Sequence, residues 1–144
     1  LREKEDVEAV IAGILDGTIV CIVTDHAPHA KREKADFEKA PNGTVGLETS
    51  LAAGIRFLVE PGILTMPELI RLMSTNPARI LGIPAGSLKP GMPADLAVID
   101  ERIRWTVLPE RLNSKSKNTV FKFEQLKGRV RYTFVDGEIV YVMR

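Results

Sequence analysis

The chain has 144 residues, 44% of them hydrophobic, and a net charge of +1. That length makes one ordinary domain or two small pieces, and the apolar fraction suffices for a packed core. Near-neutrality excludes a bulk electrostatic argument for nucleic acid or an acidic membrane surface. There is no run of about eighteen apolar residues and no signal-like start, so neither a membrane span nor secretion is expected.

The chain begins with Leu1 and opens straight into a helix, which reads as the middle of a longer gene product. From Glu3 to Asp16, apolar Val7, Val10, Ile11, Ile14 and Leu15 recur at helical spacing, with charge on the other face. Gly17 stands where a helix ends. Ile19-Val20-Cys21-Ile22-Val23 follows without alternation, the pattern of a strand buried on both faces in a parallel sheet. Cys21, the sole cysteine, reads as a small buried hydrophobe and fits a reducing, cytoplasmic setting.

Directly after that run comes Thr24-Asp25-His26-Ala27-Pro28-His29, which holds both histidines of the chain. Chemistry in α/β folds collects where such strands end. The same residues also admit a plainer reading. A Thr-Asp pair often caps the next helix or turn, and a lone histidine is often structural. The mixed-charge run Lys31–Lys39 reads as a solvated loop anchored by Phe37, or as a mobile flap. Pro41-Asn42-Gly43 ends it, and a turn there exposes backbone N–H groups able to bind a carboxylate.

Leu47, Leu51, Ile55, Leu58 and Val59 share a helical face, which Pro61-Gly62 stops. Glu48 and Thr49 read as capping residues of that helix. Thr65 and Glu68 form a capping box that opens a helix through Met73. Asn76-Pro77 reads as an N-cap followed by proline at the first position of a further short helix, ending at Gly82. Beyond Pro84 the texture becomes β-rich. Lys89-Pro90-Gly91 is a turn, Leu96–Ile99 and Ile103–Val107 are two strands, and Arg129–Val135 alternates as another. Asp136-Gly137 turns it into Ile139–Val142. Asn113–Asn118 reads as a loose polar loop, and Trp105 as a packing aromatic. Arg129 and Arg131 read as a solvated strand face. No Gly-rich phosphate loop and no Ser-His-Asp candidate is present.

Asp25-His26-Ala27-Pro28-His29 resembles the motif after the eighth barrel strand of dihydroorotases, in the amidohydrolase superfamily. The likeness continues through Ala40–Thr49, Ser74–Gly82 and Gly86–Leu96, and covers nearly the whole chain. His29 is its specific part, since related allantoinases and hydantoinases usually share the aspartate alone. Val120 departs from the pattern, where relatives often carry proline.

The resemblance implies an α/β fold, the last part of a (β/α)8 metal-dependent hydrolase barrel followed by a small β-domain. Residues 1–83 would be the C-terminal section of the barrel and 84–144 the β-rich part. It implies a zinc-dependent cyclic amidohydrolase that interconverts dihydroorotate and N-carbamoyl-L-aspartate in pyrimidine synthesis. Asp25 would be the proton carrier and a metal ligand, His29 would bind the substrate carboxylate, and Asn42 and Gly43 would act through backbone N–H groups. His26 stays structural. The binuclear zinc centre would take its other ligands from the missing N-terminal barrel portion, so the 144 residues alone are expected to hold no stoichiometric zinc and to be inactive. That barrel portion, further copies of the chain and aspartate carbamoyltransferase are the expected partners. Two other readings stay open: an allantoinase or hydantoinase, and a non-catalytic scaffold subunit.

Overall fold

The computed structural model describes residues 3–143. They form two compact units, each assembled from separated segments. One comprises Leu1–Val23, Phe57–Ile99 and Val130–Arg144, the other Thr24–Arg56 and Asp100–Arg129.

In the first unit, helix α1 (Lys4–Leu15) forms where the 3.6-residue period predicts it, and the chain leaves it through Asp16 and Gly17. Its apolar stripe is not buried: Val7 and Leu15 are exposed. The following run Ile19–Val23 is not a strand among the described residues. A strand exists only by pairing with another strand, and here the run's partners are helical. Ile22 N–H donates to Leu72 O at 2.9 Å, and Val20 O accepts from Asn76 Nδ2 at 2.7 Å. Val23 is 77% exposed and Cys21 only half-buried, which corrects the expectation of burial on both faces.

The capping box forms as expected. Thr65 N–H and Oγ1–H both donate to Glu68 Oε2, at 2.8 and 2.7 Å, and open α3 (Met66–Ile70). Asn76 is not a non-helical N-cap but the first residue of the helix. It has helical φ/ψ of −69° and −46°, so the chain passes from α3 through a π-helical turn (Arg71–Thr75) into α4 (Asn76–Leu81). The wider turn accommodates Pro77, which lacks an N–H and would crowd a regular preceding turn. Leu64, Leu69, Leu72 and Ala78 are buried, and Leu69 fully so.

The sheet has the order β1–β2–β3. β1 (Leu96–Thr106) is one continuous strand where two were expected, because Asp100-Glu101-Arg102 stays extended instead of turning. β2 (Gln125–Val135) and β3 (Glu138–Val142) form an antiparallel hairpin, with Val135 opposite Glu138 and an irregularity between Thr133 and Phe134. Asp136 and Gly137 both take positive φ, 50° and 84°, the turn that matches strand twist.

In the second unit, α2 (Ser50–Gly54) continues into a π-helical turn (Ile55–Val59) that runs on past the unit's end at Arg56. The core here is Val45, Ala52, Val107, Leu112 and Leu126, with Trp105 and Phe121 packed against it. Each fully buried Val or Leu contributes about 1.5–3 kcal/mol. Trp105 packs as expected, its Nε1–H donating to Gly128 O at 3.1 Å, and Arg129 stacks over the ring. Arg129 is therefore not merely solvated. Leu47 and Phe37 are exposed.

Candidate functional site

Two short extended segments, 24–29 and 42–47, lie side by side in the second unit. His26 and Thr44 form a parallel bridge, and Ala27 N–H donates to Thr44 O at 2.9 Å. Two glycines permit the close approach. A Cβ on Gly43, whose φ is +108°, would sit 2.5 Å from Ala27 Cβ, and one on Gly46 would sit 2.6 Å from Thr24 Cγ2.

His26 fastens this arrangement. Its Nδ1 accepts from Gly46 N–H at 3.2 Å and from Leu47 N–H at 3.4 Å. Nε2 then carries the ring proton and faces Ser114 Oγ at 3.5 Å. Its role is structural, as read from the sequence.

His29 Nε2 donates to Asn42 O at 3.1 Å, and its Nδ1 lies 4.0 Å from Glu33 Oε2. Glu33 also accepts from Ala30 N–H at 2.6 Å. Lys34 Nζ donates to Pro41 O and, at 2.8 Å, to Gly43 O. His29, Asn42 and Gly43 are thus gathered in one place. Asn42 and Gly43 contribute carbonyl oxygens to these contacts, and their amide N–H groups make no hydrogen bond among the described residues. Asp25 is exposed, with no hydrogen bond or ion pair to its carboxylate among the described residues.

The segment 113–118 is not loose. Ser116 Oγ–H donates to His29 O at 2.6 Å and lies against Asn118 Oδ1. Asn118 Nδ2 donates to Gly43 O at 3.2 Å, and Asn118 O accepts from Val45 N–H at 3.1 Å and Thr44 Oγ1 at 2.6 Å. Lys117 Nζ closes the segment on itself through Leu112 O and Ser114 O, at 2.6 and 2.8 Å. Glu48 is not a helix cap. Its carboxylate accepts from Asn113 N–H and Nδ2 at 2.9 Å each, and from Ser114 N–H at 3.1 Å. Ser116, Asn118, Lys34 and Glu48 are the residues that sequence reasoning missed. The signal was Asn-Ser-Lys-Ser-Lys-Asn itself: every side chain can bond a backbone group, and none is the glycine or proline of a free turn.

Among the described residues, no group of three or more His, Cys, Asp or Glu is placed to hold a metal ion. A zinc site takes three or four protein donors, so Asp25 alone does not make one. No helix among the described residues is long and apolar enough to cross a membrane.

The chain is 52% identical to a dihydroorotase of Geobacter metallireducens and 51% identical to one of Syntrophus aciditrophicus, over 98% of its own length in each case. It spans about a third of the length of these relatives, 33% of each. Among solved structures it is similar to an L-hydantoinase (dihydropyrimidinase) from Arthrobacter aurescens. The TM-score is 0.88 at 29% identity, over 99% of this chain and 34% of that one. A D-hydantoinase from Thermus sp. gives 0.84 at 25% identity, over 96% and 32%. The model of the amidohydrolase family matches residues 1–140, and the chain belongs to that family.

Proposed function

We propose that this chain supplies part of a dihydroorotase, a zinc-dependent hydrolase that opens the cyclic amide of dihydroorotate to N-carbamoyl-L-aspartate and closes it again. Residues 1–83 would be barrel and 84–144 β-domain, completed by barrel segments outside this chain. The observation that carries the reading is the cluster of His29 with the Asn42-Gly43 turn, in a chain about half identical to dihydroorotases.

Ring opening needs an activated water, a polarised carbonyl and a proton for the departing nitrogen. Zinc would assist the first two, with Asp25 as the single ligand this chain contributes. Asp25 takes a proton from the attacking water as the new C–O bond forms. When the C–N bond breaks, Asp25 returns that proton to the nitrogen. An exposed carboxylate with no competing partner suits this exchange. His29 holds the substrate's own carboxylate. Its Nε2–H leaves Asn42 O for the anion, because a charge-assisted bond is roughly twice as strong as a neutral one. The amides of Asn42 and Gly43 are then available to the same carboxylate.

The test is zinc-dependent hydrolysis of dihydroorotate by the full-length protein, with Asp25→Ala expected to abolish it. Robust turnover by that variant would overturn the role of Asp25. A second reading, a hydantoinase or allantoinase, is favoured by the hydantoinase-like folds. A panel of dihydroorotate, hydantoin and allantoin separates the two. His29→Ala should weaken dihydroorotate binding, and unchanged binding would remove the argument from that side chain. A scaffold role, including association with aspartate carbamoyltransferase, requires neither residue.

A further inference from the structure

The cleft beside His29 gathers positive charge. Its volume is about 690 Å³, and its lining includes Lys31, Lys34, Lys115, Lys117 and Lys122 against one carboxylate, Glu110. Five of the chain's nine lysines therefore converge on one concavity in a protein of net charge +1. Two of them build the walls: Lys34 and Lys117 spend their Nζ protons on backbone carbonyls. Lys31 and Lys115 make no hydrogen bond or ion pair among the described residues, and Lys122 lies over the Phe123 ring. These three are exposed and supply charge without holding the fold. The segment that carries Lys115 is itself tied to His29 and Gly43 through Ser116 and Asn118.

We infer that this cleft is a capture site for the ring-opened, dicarboxylate form of the substrate, with Lys31, Lys115 and Lys122 as the capturing charges. The inference rests on the activity proposed above. Hydrolysis of a cyclic amide creates a carboxylate, so the open form carries one more negative charge than the ring. Coulomb attraction is linear in ligand charge. The fold-change produced by removing the lysines should therefore be, for a dianion, about the square of that for a monoanion.

The experiment uses the full-length protein with Asp25→Ala, so that neither ligand reacts, and measures both dissociation constants by titration calorimetry. Adding Lys31→Gln, Lys115→Gln and Lys122→Gln should weaken N-carbamoyl-L-aspartate about tenfold at low ionic strength and dihydroorotate about threefold. Both losses should shrink at about 0.5 M salt, where screening is short-ranged. Equal losses for the two ligands, or none, would overturn the assignment. The two proposals fail separately. Absence of zinc-dependent ring opening by the unmodified protein removes the activity and, with it, the ligand. Activity accompanied by equal losses removes the cleft alone.

Discussion

Glu68 shows how a single side chain can make stability depend on pH. The backbone N–H of Thr65, and after it the Thr65 hydroxyl, hold the Glu68 carboxyl below its ordinary value of 4.5. Asp16 is lowered in the same way by the backbone and then the side chain of Thr18. A carboxylate with a lowered folded pKa stabilises the protein above its unfolded value, and that contribution is lost as pH falls through the folded value. Thermal unfolding followed from pH 7 downwards should show stability declining below about pH 4.5, and Glu68→Gln should make the decline shallower. An identical acid limb in the variant would contradict this. His26 offers a different test. His26→Ala leaves the amides of Gly46 and Leu47 without their acceptor. Gly46 is half-buried and Leu47 exposed, so water can partly replace the acceptor and denaturant unfolding should show a loss of about 0.5–1.5 kcal/mol.

At the scale of elements, the π-helical turn between α3 and α4 keeps Leu69, Leu72 and Ala78 buried despite a proline in the middle. Leu69 is fully buried, so Leu69→Ala should cost about 2–5 kcal/mol in denaturant unfolding. The segment 113–118 acts at a distance in sequence, holding His29 and the Asn42-Gly43 turn from more than seventy residues away. Asn118→Ala removes the bond to Gly43 O and the Ser116 Oγ contact with Oδ1, but keeps the two bonds accepted by its backbone oxygen. The fold should survive. On the activity proposed above, loss of about 1 kcal/mol of positioning in the full-length protein corresponds to roughly a fivefold rise in KM for dihydroorotate, with kcat changed less. A kcat loss at constant KM in steady-state kinetics would point to a different role.

At the scale of the whole molecule, the chain leaves a large apolar surface in water. Val7, Leu15, Val20, Val23, Ile80 and Leu81 are all exposed. Burying such side chains is worth about 1.5–3 kcal/mol each, so the 144-residue chain should associate, with itself or with the barrel segments proposed to complete it. Sedimentation velocity would reveal this, and a monodisperse monomer would contradict it. With one candidate carboxylate and no cluster of ligands among the described residues, the same preparation should retain no stoichiometric zinc after dialysis. Metal analysis checks that directly, and tightly bound zinc would show a donor set elsewhere in the chain.

Features legible from the sequence alone were those decided within a few residues. The Thr65–Glu68 box, the Asp136-Gly137 turn and the period of α1 depend on local hydrogen bonds and backbone freedom, and each stands where the residues put it. The motif 25–29 is read from its resemblance to a family pattern, which needs no tertiary partner. Tertiary structure decided whatever needs a distant partner. Ile19–Val23 has strand composition but no strand to pair with among the described residues. Residues 96–106 form one strand, with the charged Asp100-Glu101-Arg102 extended in its middle. Leu47 and Ile55 share one predicted face, yet Leu47 is exposed and Ile55 is buried. The role of 113–118 depends on acceptors at His29 and Gly43, which no local pattern reveals. Local propensity sets what a segment can do, and the groups that meet it across the fold select what it does.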